Sequence, residues 1–369
     1  MSDESRSWWE SELYDRDYDL LVVGGGLTGQ STALFYKRMN PGSRILVVDR
    51  GFFPLGASTR NAGFACFGSP TEHIDDRSIE EEAKIIERIG RRISGLRLLR
   101  DTLGDGSIDY REEGAYEIFT DHKTFKKAKA QLSLFNEWVK KAAGWEETYT
   151  IDTFEGYDAV KIKGEGCLHP GKMMKTLYSK NLDLGIEFRW NCRVNEIRAE
   201  EGEILVEKGL VLKASQLMIA TNAFTSSLLP DLEITPCRGQ VFVSRPISDL
   251  KWKGTFHYDK GYYYFRNIGD RLLMGGARNL DKDTEFTSEF GINGKIKDEL
   301  IRFTNEVLKI SDHWEIEQQW SGIMGFSPTK SPYLRSLTDR TVVAAGLSGM
   351  GVALGMQLGK EAADKLTGL

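Results

Sequence analysis

Residues 17–64 read DYDLLVVGGGLTGQSTALFYKRMNPGSRILVVDRGFFPLGASTRNAGF. Positions 19–23 form a short apolar run, the pattern of a strand buried in a parallel sheet. Gly24-Gly25-Gly26-Leu27-Thr28-Gly29 follows as a G-x-G-x-x-G turn, and positions 30–39 continue as a helix stopped by Asn40-Pro41-Gly42. A second apolar run, 44–48, ends at Asp49, about 25 residues beyond the first glycine, near the spacing of a dinucleotide-binding βαβ unit. Gly24 allows the tight turn, Gly26 a close approach of backbone to a pyrophosphate, and Gly29 close packing of helix on strand. The helix N-terminus offers unpaired N–H groups to the anion. The Asp49 carboxylate can take hydrogen bonds from a ribose diol and would repel a 2′-phosphate, which argues against NADP. NAD and FAD both remain compatible with the motif. The small, polar stretch from Gly56 to Phe64 can carry a long dinucleotide onward past its pyrophosphate.

Around this unit the chain is that of an ordinary folded protein. Its 369 residues suggest two or three domains. Hydrophobic residues at 40% and charged residues at 28% exclude a disordered chain. With 49 Lys plus Arg against 54 Asp plus Glu, the net charge is −5, which argues against a nucleic-acid partner. Cys66, Cys167, Cys192 and Cys237 show no C-x-x-C spacing and fit a reducing, cytoplasmic setting. The N-terminal MSDESRSWWESELYDRD lacks the features of a secretory signal. His73, His122, His169, His257 and His313 show no metal spacing, so no metal is expected. Two uncharged stretches, 20–36 and 341–359, approach spanning length, but each reads as strand, glycine turn and helix rather than a transmembrane segment.

Further along, periodicity predicts amphipathic helices over 77–103 and 123–143. From about 160 short strands are expected at 186–190, 194–197, 204–207, 217–220, 239–244, 262–266 and 271–274. A helix over 295–309, strands at 314–322 and 341–345 and a final helix over 350–366 complete the pattern.

The quoted stretch resembles the FAD-binding start of the D-amino-acid-oxidase-like flavoprotein family, which includes glycine, sarcosine and γ-glutamylputrescine oxidases; the motifs look most like those of the last. The shared features are GGG-x-TG, an acidic strand end, a GAS-x-RN-x-G loop and an aromatic arm, here Ser7-Trp8-Trp9. Weaker similarities continue through Leu168-His169-Pro170, Cys192-Arg193-Val194, Ala220-Thr221-Asn222-Ala223 and Pro236-Cys237-Arg238-Gly239-Gln240. They close with Trp320-Ser321-Gly322 and Gly346-Leu347-Ser348-Gly349-Met350-Gly351-Val352. The resemblance implies an α/β FAD-binding Rossmann-like domain plus an α+β substrate domain with a mainly antiparallel sheet. The FAD-binding domain would be discontinuous (1–90, 160–230 and 320–369), with the substrate domain at 91–159 and 231–319.

It also implies a site. Gly24, Gly26, Gly29, Asp49 and Arg50 would hold the ADP half of FAD, with Val194 at the adenine. Ser58, Arg60, Asn61, Ala62 and Gly63 would line the ribityl chain and flavin ring, with Thr221, Asn222 and Gly322 beside them. Gly346, Ser348, Gly349, Met350 and Gly351 would meet the pyrimidine end. The implied activity is oxidation of a C–N bond in a small amine or N-substituted amino acid by hydride transfer to flavin. An NAD-dependent dehydrogenase and a non-catalytic flavin-binding protein are the alternatives. Dioxygen or another acceptor would take the electrons, and the sequence leaves the oligomeric state open.

The chain departs from the family in three places. Positions 323–328 lack the arginine that commonly pairs with a substrate α-carboxylate, which favours an amine without one unless Arg266 or Arg335 reaches the site. No cysteine follows Cys237, so the FAD is expected to be non-covalent. No lysine lies within 261–266, where relatives place one for dioxygen. Alternation there sets Tyr262 and Tyr264 on one face and Tyr263 and Phe265 on the other, making Tyr262 and Tyr264 the candidate substrate-pocket pair. His257 is a candidate base, and Cys66 is expected to pack inertly.

Overall fold

The computed structural model describes residues 7–9, 12, 17–248, 250, 252–310 and 313–368. Two eight-stranded sheets organise them. The first is built on Tyr18–Val23, paired in parallel with Ile45–Val48 on one side and Val211–Ile219 on the other. Glu187–Arg189 extends it in parallel beyond Ile45–Val48, and Thr341–Ala345 extends it beyond Val211–Ile219. These central strands are buried on both faces, as their unbroken apolar runs require. The helices Leu27–Met39 and Gly351–Leu366 cover one face and pack on each other.

The second sheet runs in the order Ile316–Phe326, Thr235–Ser244, Arg271–Gly276, Tyr263–Ile268, Thr255–Tyr258, Ala115–Phe119, Tyr157–Ile162 and Tyr149–Phe154. Every pair is antiparallel except Thr255–Tyr258 with Ala115–Phe119. The seams expected at 160 and 320 fall inside the strands Tyr157–Ile162 and Ile316–Phe326. Each of these strands runs unbroken because its ladder with a neighbour continues past that point.

Several expected elements shift. The helix expected over 77–103 is two, Pro70–Arg77 and Glu82–Leu103, and Ile79 lies in the turn between them, 66% exposed. The helix expected over 123–143 breaks at Ala130 and Gln131 into His122–Lys129 and Leu132–Ala143. The strands Ala115–Phe119 and Tyr149–Phe154 precede the strand-rich region expected from 160. Among the described residues, no helix is long and apolar enough to cross a membrane.

Candidate active site

The glycine turn is built as its sequence requires. Gly24 has a φ of 108°, and a Cβ there would lie 2.5 Å from the Ala220 carbonyl oxygen. A Cβ on Gly29 would lie 2.0 Å from the Gly24 carbonyl oxygen, so that glycine sets the distance between helix and strand. Gly26 precedes the first turn of the helix, and the Ser58 hydroxyl accepts from the Leu27 N–H at 2.9 Å. Asp49 receives the Gly25 N–H on one carboxylate oxygen and the Gly51 N–H on the other, both at 2.8 Å. Burial pushes its pKa up, against the two N–H bonds that favour the charged form.

The loop after Asp49 folds as the short helix Ala57–Arg60 and is pinned from both sides. The Asn61 amide donates to the Ala57 and Ser58 carbonyls at 3.0 Å and accepts from the Gly63 N–H at 2.8 Å. Arg60 donates to the Ser321 carbonyl at 2.9 Å, and the Trp320 indole donates to the Arg60 carbonyl at 3.0 Å. This clamps the loop onto Ile316–Phe326. At the far end, the Asn222 side chain accepts from the Gly346 and Leu347 N–H groups at 3.0 and 3.4 Å. Ser348 and Gly349 both have positive φ, and Met350 then caps the helix Gly351–Leu366.

A cavity of about 680 Å³ joins these pieces, within the range of small-molecule sites. Gly24, Gly26, Asp49, Arg50, Ser58, Arg60, Asn61 and Ala62 line it, as do Val194, Thr221, Asn222 and Gly322. Ser348, Gly349, Met350 and Gly351 close one wall, and Tyr262 and Tyr264 lie on the wall from the second sheet. Tyr263 and Phe265 point the other way, into the core with Phe256 and Phe303. Gly29, Gly63 and Gly346 do not line the cavity; they shape its walls. A Cβ on Gly63 would meet the Leu168 carbonyl oxygen at 2.2 Å, and one on Gly346 would meet the Ile234 side chain at 3.0 Å. The glycine turn, the Asp49 carboxylate and the second glycine turn thus face one continuous space of suitable size, so the residues present fit FAD.

Other lining residues come from segments the sequence does not flag. Arg278 lies just past the Arg271–Gly276 strand, its guanidinium 4.6 Å from the Phe326 ring centre and 5.4 Å from that of Tyr262. Among the described residues its guanidinium has no hydrogen bond or ion pair. It places a cation on the cavity wall, where positions 323–328 carry none. Arg266 does not reach the cavity, because it donates to the Ala62 and Leu168 carbonyls at 2.7 and 3.1 Å. Arg335 stacks on Tyr333 and is not on the wall. Lys260 and Lys330 are on the wall but paired, with Asp75 at 2.7 Å and with Asp76. Cys66 also lines the cavity, its thiol pushed well up by burial. Glu72 opposes burial with its bond to Arg92 at 2.9 Å, and the guanidinium holds its carboxyl at about 2. The described residues hold no cluster of metal-ligating side chains.

Comparison with known proteins agrees with this architecture. A solved iminodiacetate oxidase from Chelativorans sp. BNC1 superposes with a TM-score of 0.76 at 18% identity, over 95% of both chains. Glycine oxidase from Geobacillus kaustophilus gives 0.75 at 21% identity, again over 95% of both. These likenesses speak to the fold. In sequence, the probable oxidoreductase OrdL of Haemophilus influenzae is 22% identical over 95% of this chain and 83% of its own length. The model of the FAD dependent oxidoreductase family (DAO) matches residues 19–365, nearly the whole chain. This chain therefore belongs to the FAD dependent oxidoreductase family, with FAD as its cofactor.

Proposed function

We propose that this oxidoreductase oxidises a C–N bond in a small amine or N-substituted amino acid, with FAD held non-covalently by the residues named above. One observation carries the reading: a single cavity runs from the glycine turn and Asp49 to a sheet face bearing Tyr264, with Arg278 beside it. Bound FAD supplies the acceptor for the hydride. The chain's own contribution is binding, orientation and exclusion of water. Tyr262 and Tyr264 wall the substrate space. Arg278 can take a carboxylate in a two-pronged grip, as guanidinium groups do. This moves the preferred substrate from a simple amine towards one that carries both an amine and a carboxylate. The names of the two solved relatives, an iminodiacetate oxidase and a glycine oxidase, support that choice. Four unpaired thiols accord with a reducing compartment such as the cytoplasm.

The test is anaerobic mixing of purified protein with N-alkyl glycines, iminodicarboxylates, α-amino acids and amines without a carboxylate. Loss of the visible flavin absorbance with at least one carboxylate-bearing amine is expected, and readmitted air then shows whether dioxygen restores it. A flavin that no amine bleaches would overturn the reading. Acid precipitation should leave the yellow colour in the supernatant.

A further inference from the structure

We propose that His257 is the proton acceptor of this cavity, with Glu165 behind it as its positioning residue. The proposal rests on the C–N reading above. The register of three strands sets the arrangement. Thr255–Tyr258 lies between Ala115–Phe119 and Tyr263–Ile268, so His257 sits directly opposite Glu117 on one side and Tyr264 on the other. Paired residues of neighbouring strands share a face. His257 and Tyr264 both line the cavity, and the Phe64 ring meets both edge-on, at 5.2 and 5.7 Å.

Glu165 is fully buried behind this wall. One of its carboxylate oxygens accepts from the Phe67 and Gly68 N–H groups at 2.7 and 3.1 Å. Among the described residues the other, Oε2, makes no hydrogen bond; it lies 3.5 Å from His257 Nε2, which likewise has none there. A buried polar atom left without a partner destabilises the fold. A proton on the imidazole answers both, because Nε2–H then faces a carboxylate. With Nε2 turned to Glu165, Nδ1 is the ring's acceptor atom. The His257 side chain is 12% exposed, enough for a ligand in the cavity to touch it.

The chemistry needs such a group. A substrate amine in neutral water is mostly ammonium, with no lone pair to form a C=N bond. One N–H bond breaks, its electron pair stays on nitrogen, and the proton passes to His257 Nδ1. The adjacent C–H hydrogen can then leave with both bonding electrons to the bound cofactor, while the nitrogen lone pair closes the C=N bond. The substrate is oxidised by two electrons and FAD is reduced by two. Water hydrolyses the released imine, and His257 returns its proton to solvent. The charged groups facing the ring are Glu165, Glu117 and Glu72. Burial alone would lower the imidazole pKa, but the three carboxylates outweigh it and raise it, led by Glu165. A base of raised pKa suits removal of a proton from an ammonium group.

Two measurements on the FAD-loaded protein test this. The first is the pH dependence of anaerobic flavin bleaching by the best substrate, in wild type and in His257→Gln. The variant should bleach at least about 100-fold more slowly at pH 7, in line with the usual weight of a general base. Its rate should climb as higher pH supplies free amine. The second is an NMR titration of His257 without substrate. Its midpoint should lie above the ordinary histidine value of about 6.5 and fall in Glu165→Gln, which keeps an oxygen for the two N–H groups. An unchanged pH profile in His257→Gln, or a midpoint that Glu165→Gln does not move, would overturn the proposal while leaving the C–N reading intact. Failure of every amine to bleach wild type would instead overturn the C–N reading.

Discussion

Arg278 and Asp49 illustrate what single residues contribute. Asp49 is legible from sequence because its partners belong to one βαβ unit and the turn after it: the glycine turn and the residue two positions on. Arg278 is not, because only the folding of Arg271–Gly276 against its neighbours brings it beside Phe326. Glu165 is hidden in the sequence for the same reason; its contacts lie about 100 positions away in both directions. No periodicity carries that information. If Arg278 grips a carboxylate, Arg278→Met should raise KM for carboxylate-bearing amines about 10- to 100-fold, the weight of a charge-assisted hydrogen bond. Amines without a carboxylate should be affected far less. Steady-state kinetics on paired substrates checks this, and equal loss for both kinds would assign Arg278 a structural role.

At the level of elements, glycines decide how closely backbone segments meet. The predicted βαβ unit forms as Tyr18–Val23, Leu27–Met39 and Ile45–Val48, because each signal in it is local and strong. Gly29→Ala would push a methyl group into the Gly24 carbonyl and crowd Val22. Overpacking of this kind costs about 3 kcal/mol. Urea unfolding should show that loss, and FAD should bind more weakly to whatever remains folded. The glycines of the last helix work similarly. A Cβ on Gly359 would lie 2.6 Å from the Ser31 side chain, so this residue sets the approach of Gly351–Leu366 to Leu27–Met39. From sequence these glycines only dilute an apolar stretch. The strand Tyr149–Phe154 was illegible for another reason. It is an edge strand with mixed exposure, and its Ile151 is 52% exposed, so no clean alternation marks it.

Across the whole molecule, the buried polar groups around Pro70–Arg77 tie acid stability to the cavity wall. Burial lowers the His73 pKa to about 4, against the pull of Glu72 and Asp76. The ring is therefore neutral in the folded protein, while the unfolded chain takes up a proton once pH falls below about 6.5. Stability should fall as pH drops from about 6.5 to 4, by on the order of 3 kcal/mol from this residue. Glu72, held at about 2, contributes stability above its ordinary value of 4.5 that is lost as pH falls from there to about 2. His257 works in the opposite sense. Its raised pKa stabilises the fold below about 6.5 and loses that effect as pH rises through the raised value. Urea midpoints measured across pH should peak near neutrality, and His73→Phe should flatten the limb between 6.5 and 4. A limb unchanged in that variant would remove His73 from the explanation.

At this scale the sequence announced the dinucleotide fold and both glycine turns. It did not announce which side chains of the second sheet face them, since that depends on long-range register. On the proposed function, one cavity holds both FAD and an amine substrate. A crystal structure of the FAD-loaded protein with an unreactive carboxylate-bearing amine tests it most directly. FAD should lie between Asp49 and the Ser348–Gly351 turn, with the amine between the flavin ring and Tyr264 and its carboxylate on Arg278. An amine bound elsewhere, with packed side chains closing the space before Tyr264, would contradict it.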